Sequence, residues 1–229
     1  MKKLKTRIRV GIVVLLVVLS AAPLFAQRNS MSGDIETILQ DMQPGSLSSA
    51  EEAGILLMRE EEKLARDVYL TLYEKWNIPV FANIAASETT HMDAMELLIE
   101  RYGLEDPVAD ESAAARGSYQ REEFNVLYTD LTEQGMESYQ AALGVGALIE
   151  DLDIADLQKL ISESRNAAVK VVYQNLVKGS RNHLRAFARQ LERYDGDYDP
   201  QYITTAEYQQ IVTSRNETGV ITDADFSFE

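Results

Sequence analysis

Apolar residues in this chain recur at alternating steps of three and four along four long stretches, the spacing that draws a single stripe down an α-helix. The first stripe reads Ile55, Met58, Glu62, Ala65, Tyr69, Leu72, Trp76, and the second Phe81, Ile84, Glu88, His91, Met95, Leu98, Tyr102. A third runs Tyr139, Leu143, Gly146, Glu150, Asp153, Leu157, Leu160. The fourth is less regular: Val169, Val172, Leu176, Ser180, His183, Phe187, Leu191, Tyr194. No stretch alternates with the period of two that marks a strand. Ser48 and Ser49 precede Glu51 and Glu52 at capping-box spacing, so a first long helix starts there and runs to about Trp76. Pro79 opens a second helix that ends at Tyr102, with Gly103 as its C-terminal cap. Further helices are predicted over residues 137–162 and 166–194, with short ones near 124–132 and 208–212. The fold class is therefore all-α: a four-helix bundle over residues 50–195, with a long crossover, 104–135, between its second and third helices. Residues 27–49 read as a linker with at most a short helix, and 196–229 as a C-terminal extension carrying a short helix and an acidic tail.

Each stripe is interrupted near its middle by polar residues: Glu62, Glu88 and His91, Glu150 and Asp153, and Ser180 and His183. A buried, unpaired carboxylate costs several kcal/mol, and carboxylates brought to one depth by several helices repel each other as well. A multiply charged cation removes both penalties by turning the rivals into ligands. Glu88 and His91 lie three apart, on one helix face, and could touch the same ion. The chain has two histidines, and both fall on these stripes. Taken singly, each signal has a plainer explanation. A Glu-x-x-His is common by chance, His183 alone suits a hydrogen-bonded core, and the run Glu60-Glu61-Glu62 suits a solvated face. The coincidence over four helices is what argues for a metal centre.

Composition adds a location. The first nine residues hold five of the 22 basic residues and no acidic one, followed by an apolar run from Val10 to Leu19 and small residues up to Ala26. That is the layout of a secretory signal peptide, residues 1–26, and the apolar run is shorter than the ~20 residues a membrane span needs. The expected location is periplasmic or secreted, with no membrane association after cleavage. The remaining chain sets 17 basic against 37 acidic residues, a net charge of −20, which repels nucleic acid. There is no cysteine, so zinc fingers, iron–sulfur clusters and thiol chemistry are excluded. Asp195, Asp197 and Asp199 imitate the start of a calcium loop, but Pro200 and Ala206 stand where that loop needs Gly and Glu.

The stretch from Glu62 to Tyr69, with Ala65, Arg66 and Tyr69 three, four and seven residues after the Glu, resembles the first-helix signature of ferritin-like and rubrerythrin-like proteins. Glu88-Thr89-Thr90-His91 is similar to the second-helix Glu-x-x-His of that superfamily. More closely, REEEKLARDVY, NIAASETTHM, GALIEDLDIADL and GSRNHLRAF resemble the uncharacterised ferritin-like family called domain of unknown function 2202, over roughly residues 50–212. The resemblance implies a ferritin-like bundle with a carboxylate- and histidine-bridged pair of iron or manganese ions, zinc being a further occupant. Its ligands would be Glu62, Glu88 and His91 at one ion and Glu150, His183 and Asp153 at the other, with Glu88 bridging. Tyr69 would relay an electron or donate a hydrogen bond. Dioxygen, peroxide or ferrous iron would be the reactants, in oxidoreductase-type or ferroxidase-like chemistry, and a homodimer is a candidate assembly. One departure stands out: the fourth helix has Ser180 where the superfamily pattern has a carboxylate, and Asp153 is the candidate substitute. The alternative is a non-catalytic metal-binding or helical interaction module.

Overall fold

The structure, a computed structural model, describes residues 30–109 and 115–228. The proposed signal peptide lies outside these residues. Among the described residues there are seven α-helices and no strand: α1 Ser30–Asp41, α2 Ser49–Trp76, α3 Pro79–Tyr102, α4 Glu122–Gly135, α5 Tyr139–Glu163, α6 Ala167–Arg193 and α7 Thr205–Thr213. None is long and apolar enough to cross a membrane.

Local chemistry accounts for the helix ends. Ser48 and Glu51 form a reciprocal capping box at the start of α2. Asn77, left-handed at φ 52°, closes α2, and Pro79 starts α3 directly afterwards. Gly103, at φ 64°, closes α3. Ser138, Asn166 and Thr204 accept backbone N–H groups at the starts of α5, α6 and α7.

The four long helices pack as two antiparallel-connected pairs, α2 with α3 and α5 with α6, and the pairs meet through α2–α5 and α3–α6 contacts. Their shared core includes Ile55, Met58, Leu72, Phe81, Met95, Leu143, Leu157, Val172 and Phe187, all fully or almost fully buried. Tyr69, Phe81 and Phe187 pack ring against ring at centroid distances of 5.3 to 6.2 Å. Close approach depends on two glycines. A Cβ on Gly146 would meet Phe187 at 2.4 Å, and one on Gly179 would meet the His91 ring at 2.3 Å. Gly144, which has the same small-residue look, faces open space.

Two segments are more tightly held than their polarity suggests. Residues 30–41, within the expected linker, form α1, which buries Ile35 and Leu39 against α3. That helix shows only one pair of core positions four apart, too short a stripe to announce itself. The C-terminal segment lies along α6. Asn175 receives the backbone N–H of Ile221 and donates to its carbonyl, and Arg181 and Arg185 pair with Glu217.

Candidate metal centre

Glu62 comes from α2, Glu88 and His91 from α3, Glu150 from α5 and His183 from α6, and all five are buried. Helix register brings them to one level. Glu88 stands in the middle: its Oε2 lies 2.7 Å from Nδ1 of His91, and its Oε1 lies 3.0 Å from Nδ1 of His183. Glu62 Oε2 approaches His91 Nδ1 from the other side at 3.0 Å. Glu150 Oε2 approaches His183 Nδ1 at 3.4 Å. The two imidazoles stack with centroids 5.4 Å apart. Ligand atoms of Glu88, His91 and His183 all fall within 4.8 Å of one another, the spacing of donors around a single ion.

Several of these atoms have no hydrogen-bond partner: Glu62 Oε1, Glu88 Oε1 and His183 Nδ1. Glu88 Oε1 and His183 Nδ1 are near each other yet not aligned as donor and acceptor. Buried polar atoms are ordinarily satisfied, so this donor set fits a cation held between its members. Mixed carboxylate and imidazole donors suit iron, manganese or zinc.

The electrostatics agree. Burial pushes the Glu62 carboxyl up to about 7 against the pull of His91, and burial likewise carries Glu150 up to about 7. Burial would also raise Glu88, but the charges of His183 and His91 outweigh it and hold Glu88 below the usual carboxylate range. Burial lowers both histidines, yet their carboxylate neighbours win: His183 rises to about 10, and His91 also lies well above its ordinary value. The carboxylates around the two imidazoles favour positive charge in the cluster.

The surrounding groups fix the donors. Nε2 of His183 is 2.9 Å from the hydroxyl of Ser87, the residue directly before Glu88 on α3. Such an outer partner sets which nitrogen faces the ion. Tyr69 donates to Glu150 Oε1 at 2.6 Å, and burial keeps its phenol protonated. Asp153 is buried on α5, and its Oδ2 accepts a hydrogen bond from the Ser180 hydroxyl of α6.

The run Glu60-Glu61-Glu62 is buried throughout, contrary to the solvated-face reading, and its members have separate fates. Glu60 accepts the backbone N–H groups of Gln120 and Arg121, Glu62 meets His91, and Glu61 meets no donor. Sequence reasoning did not single out Ser87. Its position directly before Glu88 was the available signal.

Residues 51–215 match the family described as an uncharacterized protein domain, DUF2202. An uncharacterized protein of Methanocaldococcus jannaschii, MJ0754, is 53% identical over 174 residues, spanning 76% of this chain and 92% of its own. The crystal structure of hypothetical protein MJ0754 superimposes with a TM-score of 0.75 at 51% identity, covering 77% of this chain and 99% of that one.

Proposed function

Because the chain belongs to the DUF2202 family, whose description names no activity, we propose its function from the centre itself: a ferritin-like four-helix bundle that holds a pair of iron or manganese ions for redox chemistry. The observation that carries this reading is Glu88, which presents one carboxylate oxygen to each of two histidines from different helices. Glu62, Glu88 and His91 would hold one ion, and Glu88, Glu150 and His183 the other. Bound there, such a pair supplies one-electron steps and open positions for dioxygen, peroxide or ferrous iron.

The protein's own part is to bind, orient and exclude. Glu88 ties the two halves together, so both histidines answer to one carboxylate. Ser87 fixes the His183 ring from behind, and the Tyr69 hydroxyl holds Glu150 and keeps a proton one bond away from it. Burial removes competing water, which strengthens every charge interaction in the centre. The basic start and apolar run of residues 1–26 support export, so the chemistry is proposed for the periplasm or exterior.

Ser180 gives a second reading its support. With a hydroxyl in place of the fourth-helix carboxylate, the centre is poorer in negative charge on the α6 side, which suits holding a metal without turnover. Metal analysis of protein from a native-like host, followed by oxygen consumption with ferrous iron, separates the two. Two ions and turnover support redox function; one inert ion supports simple binding. Metal retained at full stoichiometry in both His91→Ala and His183→Ala rules out both.

A further inference from the structure

His91 and His183 are held from behind in different ways. Nε2 of His183 meets the Ser87 hydroxyl at 2.9 Å. On the His91 ring the carboxylates meet Nδ1, Glu88 at 2.7 Å and Glu62 at 3.0 Å. Another edge of that ring lies on the backbone of α6 at Gly179, where a Cβ would stand 2.3 Å from Nε2 and 2.5 Å from Cε1. Real Cβ atoms do not come within 3.0 Å of such neighbours, so a side chain at 179 must displace something. Two responses are open. The ring can swing away, which takes Nδ1 off Glu62 and Glu88. Otherwise α6 draws back from α3, which stretches the 3.0 Å approach of His183 to Glu88 and its contact with Ser87. His183 stands four residues beyond Gly179, about one turn, and moves with that backbone. Retreat is also opposed, because the Ser180 hydroxyl of α6 bonds Asp153 of α5. Either response spoils the donor set.

We propose that Gly179 is a positioning residue of the centre: its bare backbone is the wall that sets His91 with Nδ1 toward Glu62 and Glu88, on the same stretch of α6 that carries His183. The inference rests on the metal reading of the centre for its purpose, though not for its geometry. Another glycine gives the contrast. A Cβ on Gly135, at the end of α4, would meet Leu72 at 2.5 Å, a contact about as tight with a side chain that has no donor atom. Overpacking destabilises the fold at either position, but only at 179 does it fall on a residue of the centre. Outer groups that orient a ligand affect metal affinity without touching the ion, and Gly179 does this by contact where Ser87 does it by a hydroxyl.

The test compares Gly179→Ala with Gly135→Ala in the full chain. Because the chain has two histidines, isotope-labelled histidine gives two sets of ring signals by magnetic resonance in the metal-free protein. Gly179→Ala should shift the His91 set, and Gly135→Ala should leave both sets in place. In calorimetric titration with Mn²⁺, Gly179→Ala should bind roughly tenfold more weakly or worse, and Gly135→Ala at the wild-type affinity. A folded Gly179→Ala with unmoved histidine signals overturns the proposal, as does one that binds Mn²⁺ as wild type does. Should Gly179→Ala fail to fold by circular dichroism, His91→Ala is added to it. Removing the ring should then restore a folded protein as stable in urea as His91→Ala alone, and a double variant that stays unfolded overturns the proposal. A wild type that takes up no Mn²⁺ counts against the metal reading instead, and the ring signals still decide the role of Gly179.

Discussion

Glu51 and Asp151 are buried acids, as Glu61 and Glu88 are, yet they live in a different chemical world. Asp151 accepts from the Tyr198 hydroxyl and from the backbone N–H groups of Gln201, Tyr202 and Ile203. Glu51 accepts from Ser48, the Ser164 hydroxyl and the N–H groups of Arg165 and Asn166, clamping the start of α2 to the start of α6. Every oxygen on these two residues is answered by the protein. In the middle of the molecule, Glu88 faces two imidazoles and Glu61 faces no donor at all. Burial alone therefore does not distinguish a structural acid from a ligand; the donors opposite it do.

The sharpest way to break this contrast is to delete one acid from each set. Asp151→Ala strands three backbone N–H groups and a tyrosine hydroxyl, and should cost on the order of 4 kcal/mol in chemical denaturation. Metal-free Glu61→Gln should cost no stability, because a buried carboxyl that no donor answers has no hydrogen bond to lose. Equal losses would erase the distinction. Next in size is metal itself. Ferrous iron or Mn²⁺ at a hundredfold over its dissociation constant should stabilise wild type by about 2.7 kcal/mol in a thermal melt. The same addition should have much less effect on the His91→Ala/His183→Ala variant.

Acid should find the structural set through Glu51. Burial would raise this carboxyl, but its bonds to Ser48, Ser164 and Asn166 lower it from 4.5 to about 2. A depressed value in the folded state means the contribution is complete above about 4.5 and disappears as pH falls toward 2. Urea melts at pH 5 and pH 3 should show Glu51→Gln losing less stability than wild type over that interval, with a difference on the order of 1 to 2 kcal/mol. Parallel losses would show that the clamp does not depend on charge. The smallest effect expected is that of Tyr69→Phe. It removes the bond to Glu150 and should cost about 1 kcal/mol by thermal melt.

Much of this was legible in the sequence, for identifiable reasons. The ends of α2 and α3 are written in residues that act locally: the Ser48–Glu51 box, Asn77 and Pro79, and Gly103. The stripe period placed Glu62, Glu88, His91, Glu150 and His183 on inward faces, because that period is a property of one helix. What failed to show were consequences of distant chain folding over a helix. Lys63 donates to the carbonyls of Ala115 and Ser118, and Glu60 receives the N–H groups of Gln120 and Arg121. The connection between α3 and α4 thus roofs the side of α2 that its charges mark as solvated. No periodicity within α2 reports that. The Ser180 hydroxyl that Asp153 accepts was hidden for a related reason: the stripe gives the depth of Asp153, but its partner depends on the facing helix.

The chain order of the helices has a consequence for how the centre assembles. Glu62, Glu88 and His91 all belong to the α2–α3 hairpin, whereas Glu150 and His183 belong to the α5–α6 hairpin. Each hairpin closes over a short stretch of chain, so its internal contacts form at low loop entropy and fast. Three of the five donors can then meet with no help from the rest of the molecule, and the centre is completed when the second hairpin docks across the crossover. A cation bridging Glu88 and His183 would act as a clasp on that docking, slowing its reversal more than it speeds its formation.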